Sequence, residues 1–367
     1  MMKRINNIFR GVLVLLFCTV ALSVSAQHKT AAKGEDKKES VDIKSLIFSH
    51  IGDTYEWHIT KIGNTDLKIV LPIIVYSKTS GWNVFSYSRI EEKGSSYKGF
   101  TIAPDGAPHE GKVVEKVGND YVRPWDFSIT KVTLALFING LLLVLVVLGV
   151  AQWYRKHPDG KATPKGFVGF MEMFIMMVND DIIKDSMGAN YRKFSPYLLT
   201  AFFYIFLSNF MGLVPFFPFG VTVTGNSAIT LILALFTFII TNVTGSKAYW
   251  KDIFWPDVPM WLKIPPIIPF VEFFSIFTKP FALMARLFGN MLAGHMGMLV
   301  LTSLIFITVS ISPVLCGSMT LISVLFNIFM LLLEVLIAFL QAYIFTMLSA
   351  TFIGMSQEGK KEAELAK

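Results

Sequence analysis

The chain has 367 residues, 53% hydrophobic and 16% charged, with mean hydropathy +0.55. A soluble domain carries about a quarter charged residues, and here the apolar ones come in long blocks; an ordinary cytosolic enzyme is excluded and a membrane protein implied. The net charge of +7 is no nucleic-acid footprint, because the basic residues sit in short loops between apolar blocks, and the two cysteines, Cys18 and Cys316, lie in apolar runs where they offer neither a stapling disulfide nor a cysteine metal site.

Lys3, Arg4 and Arg10 precede an apolar run from Gly11 to Leu22, and Val24-Ser25-Ala26 stands before Gln27. A charged start, a short apolar stretch and a small-residue site read as a signal peptide over 1–26, removed in the mature protein. An uncleaved anchor is the alternative. Bulky Phe17 before Cys18, and the apolar run continuing past it, speak against a lipoprotein.

Residues 27–126 hold basic and acidic residues in equal number, with frequent Gly, Ser and Asp. The stretch AAKGEDKKES reads as a disordered start. LKIVLPIIVYS (67–77) and WNVFSYSRI (82–90) are β-rich and flank Thr79-Ser80-Gly81, which predicts a hairpin. Gly94, Ser95, Ser96 and Gly99 read as a further loop. This is a small exported, β-containing N-terminal domain. His50, Asp53 and His58 are close in sequence, but two histidines at this spacing match no metal-ligand motif, and a polar amphipathic stretch explains them.

From Phe127 the chain is membrane. Val132–Trp153 is a span, and Arg155, Lys156, Lys161 and Lys165 after it place that end in the cytoplasm. Gly166–Ile183 is apolar but holds Glu172, Asp180 and Asp181, as an amphipathic helix lying on the cytoplasmic surface would. Pro196–Leu213 spans outward after Arg192 and Lys193; 215–226 is an uncharged outer loop; Ala228–Val243 spans back toward Lys247, Lys251 and Lys263. The runs 264–310 and 317–355 follow, separated by Ser312-Pro313 and Gly317. As helices they would be about 70 and 58 Å long, roughly twice the hydrocarbon thickness, so they lie strongly tilted or break at Pro280. The fold class is thus an all-α polytopic membrane protein with five transmembrane helices, a surface amphipathic helix and a long final hairpin. Membrane domain 127–357 precedes a cytoplasmic tail, 358–367, and the mature N-terminus lies outside.

Across 264–355 the only formal charges are Glu272, Lys279, Arg286 and Glu334, and His295 is the only histidine. A charge at mid-bilayer costs at least ~2.5 kcal/mol, which makes each a functional candidate. Lys279 can snorkel; Arg286 sits too deep. With the turn centred near Pro313, Arg286 faces neutral Gln341, His295 faces position 332 within a turn of Glu334, and Glu272 faces about 355. Arg286 then has no carboxylate at its own level, which points to one on another chain. His and a buried Glu titrate near neutrality, whereas Arg stays charged and blocks a proton. The order is Glu272 on the cytoplasmic side, Arg286 in the middle, His295 with Glu334 outside: two polar half-paths separated by a fixed positive charge. Ala285, Gly289 and Ala293 recur every four residues and permit close helix approach; Asn290 shares a face with Arg286.

KPFALMARLFGNMLAGH (279–295) and FLQAYIFTMLSATFIGM (339–355) closely resemble the two signature segments of subunit a of F-type ATP synthases, and NFMGLVP (209–215) is similar to a third. The resemblance covers roughly 128–357. It implies a stator subunit against a rotating ring of c subunits carrying the ion-binding carboxylate, held by peripheral-stalk b subunits and acting indirectly on a soluble ATPase head. It makes Arg286 the family's arginine, Asn290 its channel asparagine, Gln341 its glutamine and Glu272 its cytoplasmic-side glutamate. The outer acid and histidine of some members stand exchanged here, as His295 and Glu334. Gly212 and Phe217 occupy positions where some members carry aspartates. The expected location is a bacterial plasma membrane. No cofactor, metal or nucleic acid is implied, and the chain is no catalyst in its own right. The rivals are a proton-coupled secondary transporter, which would show internal repeats, and an intramembrane enzyme, for which HExxH and GxSxG are lacking.

Overall fold

The computed structural model describes residues 52–62, 65–91, 95–104, 107, 109–118, 120–158, 163–214, 219–255, 267–309 and 313–365. The expected signal peptide and charged linker, with His50, lie outside these.

Strands come first. β1 (Glu56–Ile62) pairs antiparallel with β2 (Thr65–Val70). β3 (Pro72–Ser77) and β4 (Gly81–Ser86) form the expected hairpin, with Gly81 at φ +67, where a side chain would be strained. The single strand expected over 67–77 is two. Pro72 lacks an N–H and so opens a new strand, and buried Leu71 donates its own N–H to the Tyr55 carbonyl at 3.1 Å. β5 (Phe100–Ile102), β6 (Val113–Val117) and β7 (Asp120–Val122) form a third sheet, while the short β8 (Trp125–Asp126) adds to β3. Tyr55, Ile73, Val75, Phe85, Ile90, Phe100 and Val113 close one core. In it the Tyr55 hydroxyl donates to Asp126, and burial together with that bond drives its pKa well above the ordinary phenol range.

This domain is bolted to the first membrane helix, α1 (Lys131–Lys156). The Asp53 carboxylate accepts from the Val132 N–H at 3.2 Å, and Thr54 accepts from the Lys131 N–H at 2.9 Å. Asp53 thus serves as a helix cap, satisfying backbone groups a helix start leaves open. Trp57 packs against Val132, Ala135, Val221 and Val223.

α2 (Phe167–Met176) widens into a π-helical turn, Met177–Lys184, then Asp185–Met187. The expected amphipathic pattern holds in the π-helical turn, where Val178, Ile182 and Ile183 are buried and Asp180, Asp181 and Lys184 exposed, but the exposed face of α2 itself is apolar, with Phe167, Phe170, Met173 and Met176. α3 (Tyr191–Gly212) and α4 (Ser227–Thr244) follow, then a short helix the sequence did not announce, α5 (Lys247–Phe254). α6 (Ile267–Val309) runs unbroken through Pro280, and α7 (Pro313–Leu365) returns beside it. Five helices are long and apolar enough to cross a membrane. The apolar parts of the last two, 37 and 41 residues, exceed the bilayer core and require tilt. Phe174, Phe202, Phe206 and Phe339 bring α2, α3 and α7 together. Thr237 on α4 bonds Tyr197 at 2.8 Å and Ser349 at 3.1 Å. α7 passes so close to the end of the α2 segment that a Cβ on Gly354 would collide with the Ser186 carbonyl oxygen.

Candidate ion-translocation site

The α6–α7 hairpin sets the geometry. His295 Nδ1 lies 2.8 Å from Glu334 Oε1, with both side chains largely buried. The expected partner position was 332, so the true pairing is offset by two residues. Farther along, Asn327 donates to Thr302 at 3.2 Å in the same register. Gly294 leaves the space the carboxylate occupies: a Cβ there would stand 3.0 Å from Glu334 Oε1. Glu334 Oε2 is buried and has no hydrogen-bond partner among the described residues. One oxygen is engaged by the imidazole ring, and the other has no donor among the described residues.

Arg286 stands about 13 Å along the helix from His295. Its side chain is exposed and makes no ion pair or hydrogen bond among the described residues. Ala285, Asn290 and Ala293 are exposed on the same face, and nothing lies within 4 Å of a Cβ built at Gly289. The small-residue stripe therefore does not pack helices of this chain together; it is open beside a cation. Gln341 is 4% exposed on α7. Glu272 is exposed near the start of α6, where it and burial both raise the Tyr249 phenol, burial more. Lys279 sits over the Phe352 ring at 5.6 Å, the packing role its long stem allows.

A second polar route was not read from the sequence. Fully buried Thr224 donates to Asn209 Oδ1, and the Asn209 amide donates to the Ala338 carbonyl at 3.4 Å, one turn from Glu334. Thr222 and Gly225, the residues two before and one after Thr224, line a cavity of about 220 Å³ together with Asp53, Asn226, Ser227 and Phe288. Buried Asn209 and Thr224 interrupting apolar sequence were the available signal. Gly212 is held against Thr222, where a Cβ would meet its methyl at 3.3 Å; Phe217 lies outside the described residues.

Fold and site define a multi-pass membrane subunit, closed on one side of its hairpin and open around an arginine on the other. Comparisons with known proteins give the family. The ATP synthase A chain family matches residues 134–354. The ATP synthase subunit a of Chloroherpeton thalassium is 40% identical over 265 residues, covering 70% of this chain and 73% of that protein. That of Chlorobium phaeobacteroides (strain DSM 266) is 41% identical over 246 residues, 65% and 68% of the two chains. ATP synthase subunit a 2 of Prosthecochloris aestuarii is 42% identical over 238 residues, 63% and 69%. The chain belongs to the ATP synthase A chain family, which disfavours the transporter alternative. Residues 46–127 match a domain of unknown function (DUF8433).

Proposed function

We propose that this chain is the stationary subunit through which protons cross the membrane sector of a rotary ATP synthase, coupling their flow to ATP synthesis. In this reading the open face of α6 bears on a ring of c subunits, each with an ion-binding carboxylate. Peripheral-stalk b subunits hold the chain still, and the soluble ATPase head is reached only through the rest of the complex. The outer half-path starts in the cavity at Asp53 and Asn226, follows Thr224 and Asn209, and ends at Glu334 and His295. The inner half-path opens at Glu272. Arg286 separates them: it cannot lose its proton, so it bars direct passage and draws a deprotonated ring carboxylate to itself. Asn290 shares its face, and buried Gln341 lies two residues from Tyr343, the position that the pairings His295–Glu334 and Thr302–Asn327 set opposite Arg286 on α7 in place of the expected Gln341.

The observation that carries this reading is the solitary Arg286. An arginine inside an apolar helix costs at least ~2.5 kcal/mol unless compensated, and the carboxylate it needs has to come from another chain.

We also infer a bacterial plasma-membrane location, removal of 1–26, and an exported domain, 27–126, ahead of the membrane domain, 127–357, and the cytoplasmic tail, 358–367. The basic residues at the end of α1, at the start of α3 and after α4 support this orientation. Replacing Arg286 by Ala should leave an assembled complex that hydrolyses ATP yet neither pumps protons nor makes ATP in reconstituted vesicles. ATP synthesis from a proton gradient by that variant would contradict the gate.

A further inference from the structure

The β4–β3–β8 sheet is apolar on both faces. Alternate residues Ile73, Val75 and Phe85 fill the domain core. The opposite face should be polar in a domain surrounded by water. Instead it presents Tyr76, Trp82, Val84 and Trp125, with Phe127 beyond the end of β8. Trp82, Val84 and Trp125 are 64, 66 and 67% exposed, and Phe127 54%. The register puts Tyr76 opposite both Trp82 and Trp125. Tyr76 and Trp82 ring centres are 5.3 Å apart, those of Trp82 and Phe127 5.4 Å, so the rings form one continuous surface. Its exposed area is on the order of 500 Å², the upper range for a chain with nothing bound there.

The position of this surface says what covers it. Phe127 stands three residues before Thr130, the N-cap of the membrane-spanning α1. Even fully extended, that connection keeps the Phe127 backbone within about 10 Å of the start of the span, and the Trp82 ring packs on the Phe127 ring. The sheet cannot swing away, because the Phe127 N–H donates to the Ile74 carbonyl at 2.9 Å and Ser128 Oγ accepts from the Ile74 N–H at 3.0 Å. Trp and Tyr are the residues that collect at the membrane–water boundary, where an apolar ring with a polar edge is accommodated. The acid of β8, Asp126, is turned inward to Tyr55, while exposed Lys78 and Arg123 flank the sheet in sequence.

We propose that this aromatic face is a lipid-docking surface, bedding the N-terminal domain into the boundary between headgroups and acyl chains of the leaflet on its side. The domain then acts as a fixed float at the head of α1, holding Asp53 and the adjoining cavity at a constant depth.

The test uses the whole complex in vesicles, with Cys316→Ser as background. Val84→Cys, at an exposed position, carries a polarity-sensitive fluorophore; Lys116→Cys, on the third sheet, is the reference. The proposal expects the probe at 84 to be quenched severalfold more by shallow nitroxide-labelled lipids than the probe at 116, and less by aqueous iodide. Equal iodide quenching at both positions would place the face in water and overturn it. A probe at 84 shielded from both quenchers would mean that protein covers the face, and would overturn it as well.

Discussion

Glu115 in the N-terminal domain and Glu334 in the hairpin are both buried carboxylates, and their surroundings are opposite. Ser77 donates to one oxygen of Glu115, and Thr79 and Ser80 to the other. Burial alone would raise its pKa, but the three hydroxyls outweigh burial and hold it below the usual carboxylate range. Glu334 has His295 on one oxygen and no partner among the described residues on the other. A carboxylate held by three hydroxyl donors is favoured in its charged form and serves structure. One with an imidazole on one oxygen leaves the other for a donor outside the described residues. The two glycines Gly354 and Gly289 divide the same way: one is pressed against backbone of this chain, the other faces open space.

The contrast sharpens most at the His295–Glu334 pair. An apolar residue at either position should slow proton uptake by vesicles severalfold, because one of the two proton-carrying side chains is then gone. Exchanging the two, His295→Glu with Glu334→His, should restore much of it. Losses that add in the double variant, with no recovery, would break the pairing. Gly354→Ala should cost about 1–3 kcal/mol by forcing α7 off the Ser186 turn, read as a lower Tm of the solubilised complex. Gly289→Ala should leave Tm unchanged and reduce coupled pumping instead. The smallest effect belongs to Glu115→Gln, about 1 kcal/mol. Because the folded pKa of Glu115 lies below its ordinary 4.5, its contribution is present above that pH and fades as pH falls through the folded value. Protease resistance of the N-terminal domain should accordingly weaken below about pH 4.5, and less so in the Gln variant.

Much of the membrane half was readable because long apolar blocks and the charges between them report directly on spans. The five helices fall on the five expected runs, and His295 meets Glu334 within two residues of the estimate, a half-turn that spacing alone does not resolve. The N-terminal domain was readable only at its hairpin. Strands of two or three residues, such as Trp125–Asp126 and Phe100–Ile102, are too short to show alternation. The π-helical turn at 177–184 has no periodic signature, and Asp53 as a cap on Val132, or Asn209 bonded to Thr224 and Ala338, depends on contacts between distant segments.

The open face around Arg286 should bear on another chain. Asn290 is exposed on that face and Leu287, three residues before, is fully buried in the hydrophobic core. In the assembled complex, a cysteine at Asn290 should form a disulfide with one placed beside the c-subunit carboxylate, stopping ATP hydrolysis until reduced, while a cysteine at Leu287 should not. Cross-linking at 287 but not at 290 would contradict the account.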